Sequence, residues 1–146
     1  MIPRELLATA AVPGGGDPLR LIRRGSEFSI MLGANELMNS RLSGSEEALA
    51  TLAQARLGDV ASPRVLIGGL GMGFTLRAAL AAFGPQSEVT VAELVPEIVD
   101  WARGAVPWTA PGSRLAHLTT PSLEKPVALT VLQGDEALAR APGEER

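Results

Sequence analysis

Alternation of apolar and polar residues marks the first predicted element of the chain. Apolar Phe28, Ile30 and Leu32 alternate with other residues over 28–32, which is the period of a half-buried strand. The Gly33-Ala34-Asn35 run that follows has the composition of a tight turn. These features predict a β-hairpin over 27–42. The preceding residues include VPGGGDP, a stretch typical of linkers, so we expect a flexible N-terminal arm over 1–26.

A helical pattern follows in SGSEEALATLAQARLG. Ser43 and Glu46 have the spacing of a capping box, and Gly58 is a typical helix terminator. Apolar residues recur at helical spacing after the cap, which predicts that this side of the helix faces the core. The predicted inward stripe consists of Leu49, Leu52, Ala53 and Leu57.

Three short apolar runs separated by helical patterns occupy the rest of the chain. The runs RVLIG, EVTVAE and VALTVLQGD are predicted strands, and FTLRAALAAFGP and VPEIVDWARG are predicted helices between them. Strands that alternate with helices indicate a parallel sheet with right-handed crossovers. RVLIG lacks polar alternation, so we expect it to be buried on both faces. The predicted fold is α/β: a hairpin followed over 43–146 by a partial Rossmann-type nucleoside-binding domain with about three parallel strands.

The glycine-rich stretch VLIGGLGMGF lies between the first predicted parallel strand and its helix. A nucleotide-triphosphate loop would need Lys where Phe74 stands, and a dinucleotide loop would need a third glycine at that same position. The spacing is instead G-x-G-x-G, formed by Gly69, Gly71 and Gly73. A tight turn without a ligand is one interpretation. The other is a loop that lies against the non-phosphorylated part of a nucleoside cofactor.

Acidic residues follow the other two predicted strands. Glu93 ends EVTVAE and Asp135 follows VALTVLQG. Because ligands of open α/β sheets bind at the carboxyl ends of the strands, we expect both carboxylates near the glycine loop. The G-x-G-x-G spacing resembles the nucleoside loop of S-adenosylmethionine-dependent enzymes. That resemblance implies that Glu93 accepts hydrogen bonds from both vicinal hydroxyls of a ribose, which one carboxylate can do. It also implies that Asp135 accepts a hydrogen bond from an adenine amino group.

Four segments together resemble the spermidine synthase family over about residues 27–140. They are ELMNSRLSGSEEALA, GLGMGFTLRAAL, VTVAELVPEIVDWAR and VLQGD. The resemblance implies an S-adenosylmethionine-type Rossmann fold and aminopropyl transfer from decarboxylated S-adenosylmethionine to a polyamine. It assigns cofactor contacts to Gly69, Gly71, Gly73, Glu93 and Asp135.

The chain also departs from that family's pattern. Met72 stands where the family has an Asp that holds the donor's amine, and the family's Tyr-His-Glu-type run is missing. The family's catalytic Asp follows a fourth strand, for which Arg146 comes too early, so we expect a catalytically incomplete chain with no assigned catalytic residue. Two alternatives stay open: an S-adenosylmethionine-dependent methyltransferase, or a non-catalytic binding or interaction protein.

Composition narrows the remaining possibilities. The 146 residues carry a net charge of −3, include no cysteine and only one histidine, and are 3% aromatic. These values disfavour disulfides, a metal site and nucleic-acid binding. No apolar run approaches the ~20 residues of a membrane span, and a cytoplasmic location is expected.

The first strand of a Rossmann-type sheet normally lies in the middle of the sheet, with a fourth strand beside it. Without that neighbour, residues 65–68 would form an unpaired apolar edge. Such an edge predicts a homodimer or a complex with a partner chain.

Overall fold

The computed structural model describes residues 1–105 and 128–134. Its N-terminal part is an antiparallel sheet in which each strand pairs with the next one along the chain. The strands are β1 (Arg4–Ala10), β2 (Leu19–Arg24), β3 (Glu27–Leu32) and β4 (Asn35–Asn39). β3 and β4 are the predicted hairpin, with Leu32 opposite Asn35 at its turn.

Residues 1–26 contain two of these strands, so the prediction of a flexible arm there is wrong. VPGGGDP forms only the connection between β1 and β2. Leu19 and Leu21 are buried and alternate with Arg20 and Ile22, which is the strand pattern of one buried face. The prediction of an arm gave weight to the glycines and prolines of one loop and overlooked the alternating pattern of β2 directly after it.

Helix α1 (Gly44–Leu57) ends at Gly58 as predicted, but its apolar stripe faces outward. Leu49 and Leu52 are 64% and 69% exposed, whereas Ala50 is buried. The small side chain of Ala50 belongs to the face that packs against the next helix, α2 (Phe74–Phe83). The predicted backbone cap is also absent, because the Ser43 hydroxyl donates to the Glu47 carboxylate at 3.0 Å.

The three predicted parallel strands are confirmed. They are β5 (Arg64–Gly68), β6 (Glu88–Glu93) and β7 (Ala128–Gln133), and they pair in the order β5-β6-β7. Helix α2 connects β5 to β6. After β6 come the short helix α3 (Pro96–Asp100) and a π-helical turn, Trp101–Ala105.

Strand β5 lies at one edge of this sheet among the described residues. Ile67 is buried, but Leu66 on the opposite face is 42% exposed. The expectation that RVLIG is buried on both faces is therefore wrong. The described elements cover only one face of the strand, and none of them pairs with its outer edge.

The core lies between the parallel sheet, α2 and α3, and it continues to the antiparallel sheet. Its most deeply buried members come from β6 and α2, together with Leu21 of β2: Leu21, Ala79, Val89 and Val91. On α2, Leu76, Ala79 and Leu80 are buried, so this face of the helix packs into the core. Across the described part of the chain, no helix has the length and apolar character needed to cross a membrane.

Candidate functional site

The glycine loop, residues 69–73, connects β5 to α2 at the carboxyl end of the sheet. Gly69, Gly71 and Gly73 have φ angles of +86°, +53° and +82°, a region that costs other L residues steric strain. The Gly69 amide donates to the Ala92 carbonyl at 2.7 Å, and the Gly73 amide donates to the Leu70 carbonyl at 2.9 Å. The loop is thus a defined turn held against the end of β6.

Space is available beside the start of this loop. A Cβ atom built on Gly68 or on Gly69 meets no described atom within 4 Å. Gly68 has no positive φ, so its backbone conformation does not require glycine. Two consecutive residues without side chains let a ligand approach the backbone closely at the carboxyl edge of β5.

Glu93 lies at the end of β6 and is only 7% exposed. Its Oε2 atom accepts hydrogen bonds from the amides of Leu70 at 2.7 Å and Gly71 at 3.4 Å. Its Oε1 atom accepts from the Val95 amide at 2.9 Å. The carboxylate therefore ties the glycine loop to the connection between β6 and α3, which offsets the cost of burying a charge.

The end of β7 meets the end of β6 at the same edge. Gln133 is the register partner of Glu93, and the Gly134 amide donates to the Glu93 carbonyl at 2.9 Å. The Oε1 atom of Gln133 is buried and has no hydrogen-bond partner in the part of the chain that the structure describes. Asp135, predicted to contact adenine, lies outside the described residues.

The antiparallel sheet also reaches the loop, through a side chain that no sequence motif marks. The Sδ atom of Met38, on β4, accepts a hydrogen bond from the Met72 amide at 3.2 Å. A Cβ atom on Gly71 would lie only 2.6 Å from that sulfur. The Met72 side chain is 2% exposed and belongs to the core. Met38 and Gln133 were missed because neither residue type is characteristic of a ligand site. Their contacts and surroundings in the folded chain identify them.

The structure thus brings the three glycines and Glu93 together, and it adds Met38 and Gln133.

No family model matches the sequence, and no curated protein matches it significantly. Among solved structures, the chain is similar to a probable spermidine synthase from Corynebacterium glutamicum, at 13% sequence identity and a TM-score of 0.54. The match covers 92% of this chain and 47% of that one. The chain therefore has a spermidine-synthase-like fold and spans about half the length of that structure.

Proposed function

We propose that the carboxyl edge of β5, β6 and β7 binds an adenosyl nucleoside of the S-adenosylmethionine type. The observation that carries the proposal is the glycine loop itself. Three glycines with positive φ lie directly between a parallel strand and its helix, beside open space at Gly68 and Gly69. Ligands of open α/β sheets bind at this position. The buried acidic residue at the end of the neighbouring strand, Glu93, supports the same site.

The proposed ligands are S-adenosylmethionine or its decarboxylated form, bound as group donors, with no metal. The spermidine-synthase-like fold favours aminopropyl transfer to a polyamine as the ancestral chemistry, and methyl transfer is the alternative. In either reaction, a nucleophile attacks the carbon next to the sulfonium, and the released adenosyl thioether keeps the bonding electrons. The site would accelerate this step by aligning donor and acceptor.

A second candidate is a non-catalytic domain in which the glycine loop is structural. The hydrogen bonds of Glu93 favour it, because the carboxylate already accepts three backbone amides. A carboxylate offers about four acceptor positions, so one position is left for a ribose hydroxyl. Binding both ribose hydroxyls would require the loop to release one of its amides from Glu93.

Calorimetric titration separates the two candidates. We expect methylthioadenosine, the thioether product of aminopropyl transfer, to bind the full chain saturably, with S-adenosylmethionine and its decarboxylated form tested in parallel. Preference for one of these two donors would distinguish methyl from aminopropyl chemistry. Absence of heat and of competition for all three would contradict the nucleoside proposal and favour the structural loop.

Gly68→Val provides a variant that blocks the site without straining the backbone. Its side chain would enter the open space beside the loop, so we expect weaker nucleoside binding at an unchanged melting temperature. Gly44→Val, at the first residue of α1, is the matched control, because a Cβ atom there also meets no described atom within 4 Å. Equal nucleoside affinity in the two variants would place the ligand elsewhere.

A further inference from the structure

Gln133 lies where a ligand in the proposed site would meet the third strand. It is the last residue of β7 and pairs in register with Glu93 on β6. Neighbouring strands are about 4.8 Å apart, so the two residues occupy adjacent positions along the carboxyl edge. A ligand that extends from the glycine loop past Glu93 reaches Gln133 next.

The side-chain carbonyl of Gln133 is in an energetically unfavourable state. Its Oε1 atom is buried and has no hydrogen-bond partner in the described residues. Buried polar atoms in native structures are nearly always paired, because an unpaired acceptor has lost its bonds to water without replacement. Core packing gives no reason for an amide here, since an apolar side chain of the same size would avoid that cost.

We propose that Gln133 is a nucleoside-contacting residue whose Oε1 atom accepts a hydrogen bond from the exocyclic amine of the base. The inference rests on the proposed nucleoside site and adds Gln133 to Asp135 as an acceptor there, since an exocyclic amine has two N–H donors. Gln133 as a whole is partly exposed, so rotation of its side chain can bring the amide to a ligand. Glu93, one strand nearer the glycine loop, is the acceptor for the ribose. A base without an exocyclic amine would leave the Gln133 carbonyl unpaired.

Gln133→Met tests the proposal, because it keeps the length of the side chain and replaces the amide oxygen with a thioether, a much weaker acceptor. We expect its affinity for methylthioadenosine to fall about two- to tenfold, the equivalent of one neutral hydrogen bond of ~0.5–1.5 kcal/mol. We expect its melting temperature to stay the same or rise, because the unpaired acceptor is gone. A purely structural residue would instead lose stability. Gln86→Met, in the exposed loop before β6, is the control and should change neither quantity.

Ligand analogues identify which group of the ligand donates the hydrogen bond to Gln133. Wild type should bind methylthio-purine riboside, which lacks the 6-amino group, more weakly than methylthioadenosine, and Gln133→Met should reduce that difference. A 2′-deoxy analogue should lose the same affinity in wild type and variant. The proposed role of Gln133 is wrong if the variant instead removes the affinity difference between methylthioadenosine and its 2′-deoxy analogue. It is also wrong if wild type binds the ligands with and without the 6-amino group equally. In both cases the nucleoside site stands. Absence of binding by any of these ligands overturns both proposals.

Discussion

The Oε2 atom of Glu93, at the end of β6, accepts a hydrogen bond at 2.7 Å from the Leu70 amide in the loop that follows β5. This bond makes the acid part of the glycine loop's support as well as a candidate ligand contact. The second oxygen of the same carboxylate accepts from the Val95 amide. Any change at Glu93 should therefore alter the stability of the free protein before a ligand is added.

Glu93→Ala should lower the free energy of unfolding by about 1–3 kcal/mol, because it leaves buried backbone amides without an acceptor. Nucleoside affinity should fall as well, by about 1.5–3 kcal/mol if the carboxylate holds the ribose. Urea denaturation and calorimetry measure the two effects. Glu88→Ala, at the exposed amino end of the same strand, is the control and should change stability by no more than about 0.5 kcal/mol. Equal stability of the two variants would mean that the Glu93 hydrogen bonds do not hold the loop.

Met38 is expected to hold the central part of the glycine loop. Met38→Leu removes the sulfur that accepts the Met72 amide, so exchange of that amide proton with solvent should become faster. Amide exchange followed by NMR measures this without any ligand. Met31→Leu, on the neighbouring strand β3, should leave the exchange rate unchanged. A Met72 amide that exchanges equally in wild type and Met38→Leu would show that the contact contributes nothing.

The hydrogen bonds of Glu36, on β4, predict that the stability of the antiparallel sheet depends on pH. The Ser29 hydroxyl, at 2.7 Å, and then the Asn39 amide, at 2.8 Å, donate to its carboxylate and lower its pKa below the ordinary value. A lowered pKa in the folded state gives stability that is present above the unfolded pKa and is lost as the pH falls through the folded one. Ser29→Ala should raise the pKa of Glu36 and reduce this acid-dependent loss. A pH titration by NMR that finds the same Glu36 pKa in both proteins would contradict the assignment.

The three parallel strands, the glycine loop and the hairpin were predictable because each depends on a local pattern of residues along the chain. Leu76 and Leu80 lie inward because the 3.6-residue period and the burial of α2 agree. The exposure of Leu49 and Leu52 was not predictable, because α1 buries the small side chain of Ala50 against α2 instead of its leucines. The contacts of Glu93 with the loop also depend on the distance between the ends of two strands, which sequence spacing does not specify.

The outer edge of β5 is the surface through which we expect the chain to associate. No described strand pairs with it, and Leu66 is 42% exposed on the same strand. Unpaired apolar edges promote pairing with another chain. Wild type should therefore show concentration-dependent association in sedimentation experiments, and Leu66→Lys should reduce it. Gln86→Lys, in the exposed loop before β6, is the control. A stable wild-type monomer over a wide concentration range would show that the edge does not pair.

The backbone amide resonances of the protein test the central claim, a nucleoside site at the carboxyl edge of the parallel sheet, most directly. We predict that titration with methylthioadenosine shifts the amides of Gly69, Gly71 and Gly134 in a saturable way. The amides of Gly25 and Gly33, in the turns of the antiparallel sheet, should serve as internal controls that stay in place. Saturable shifts at the controls with none in the glycine loop, or no shifts at all, would contradict the site.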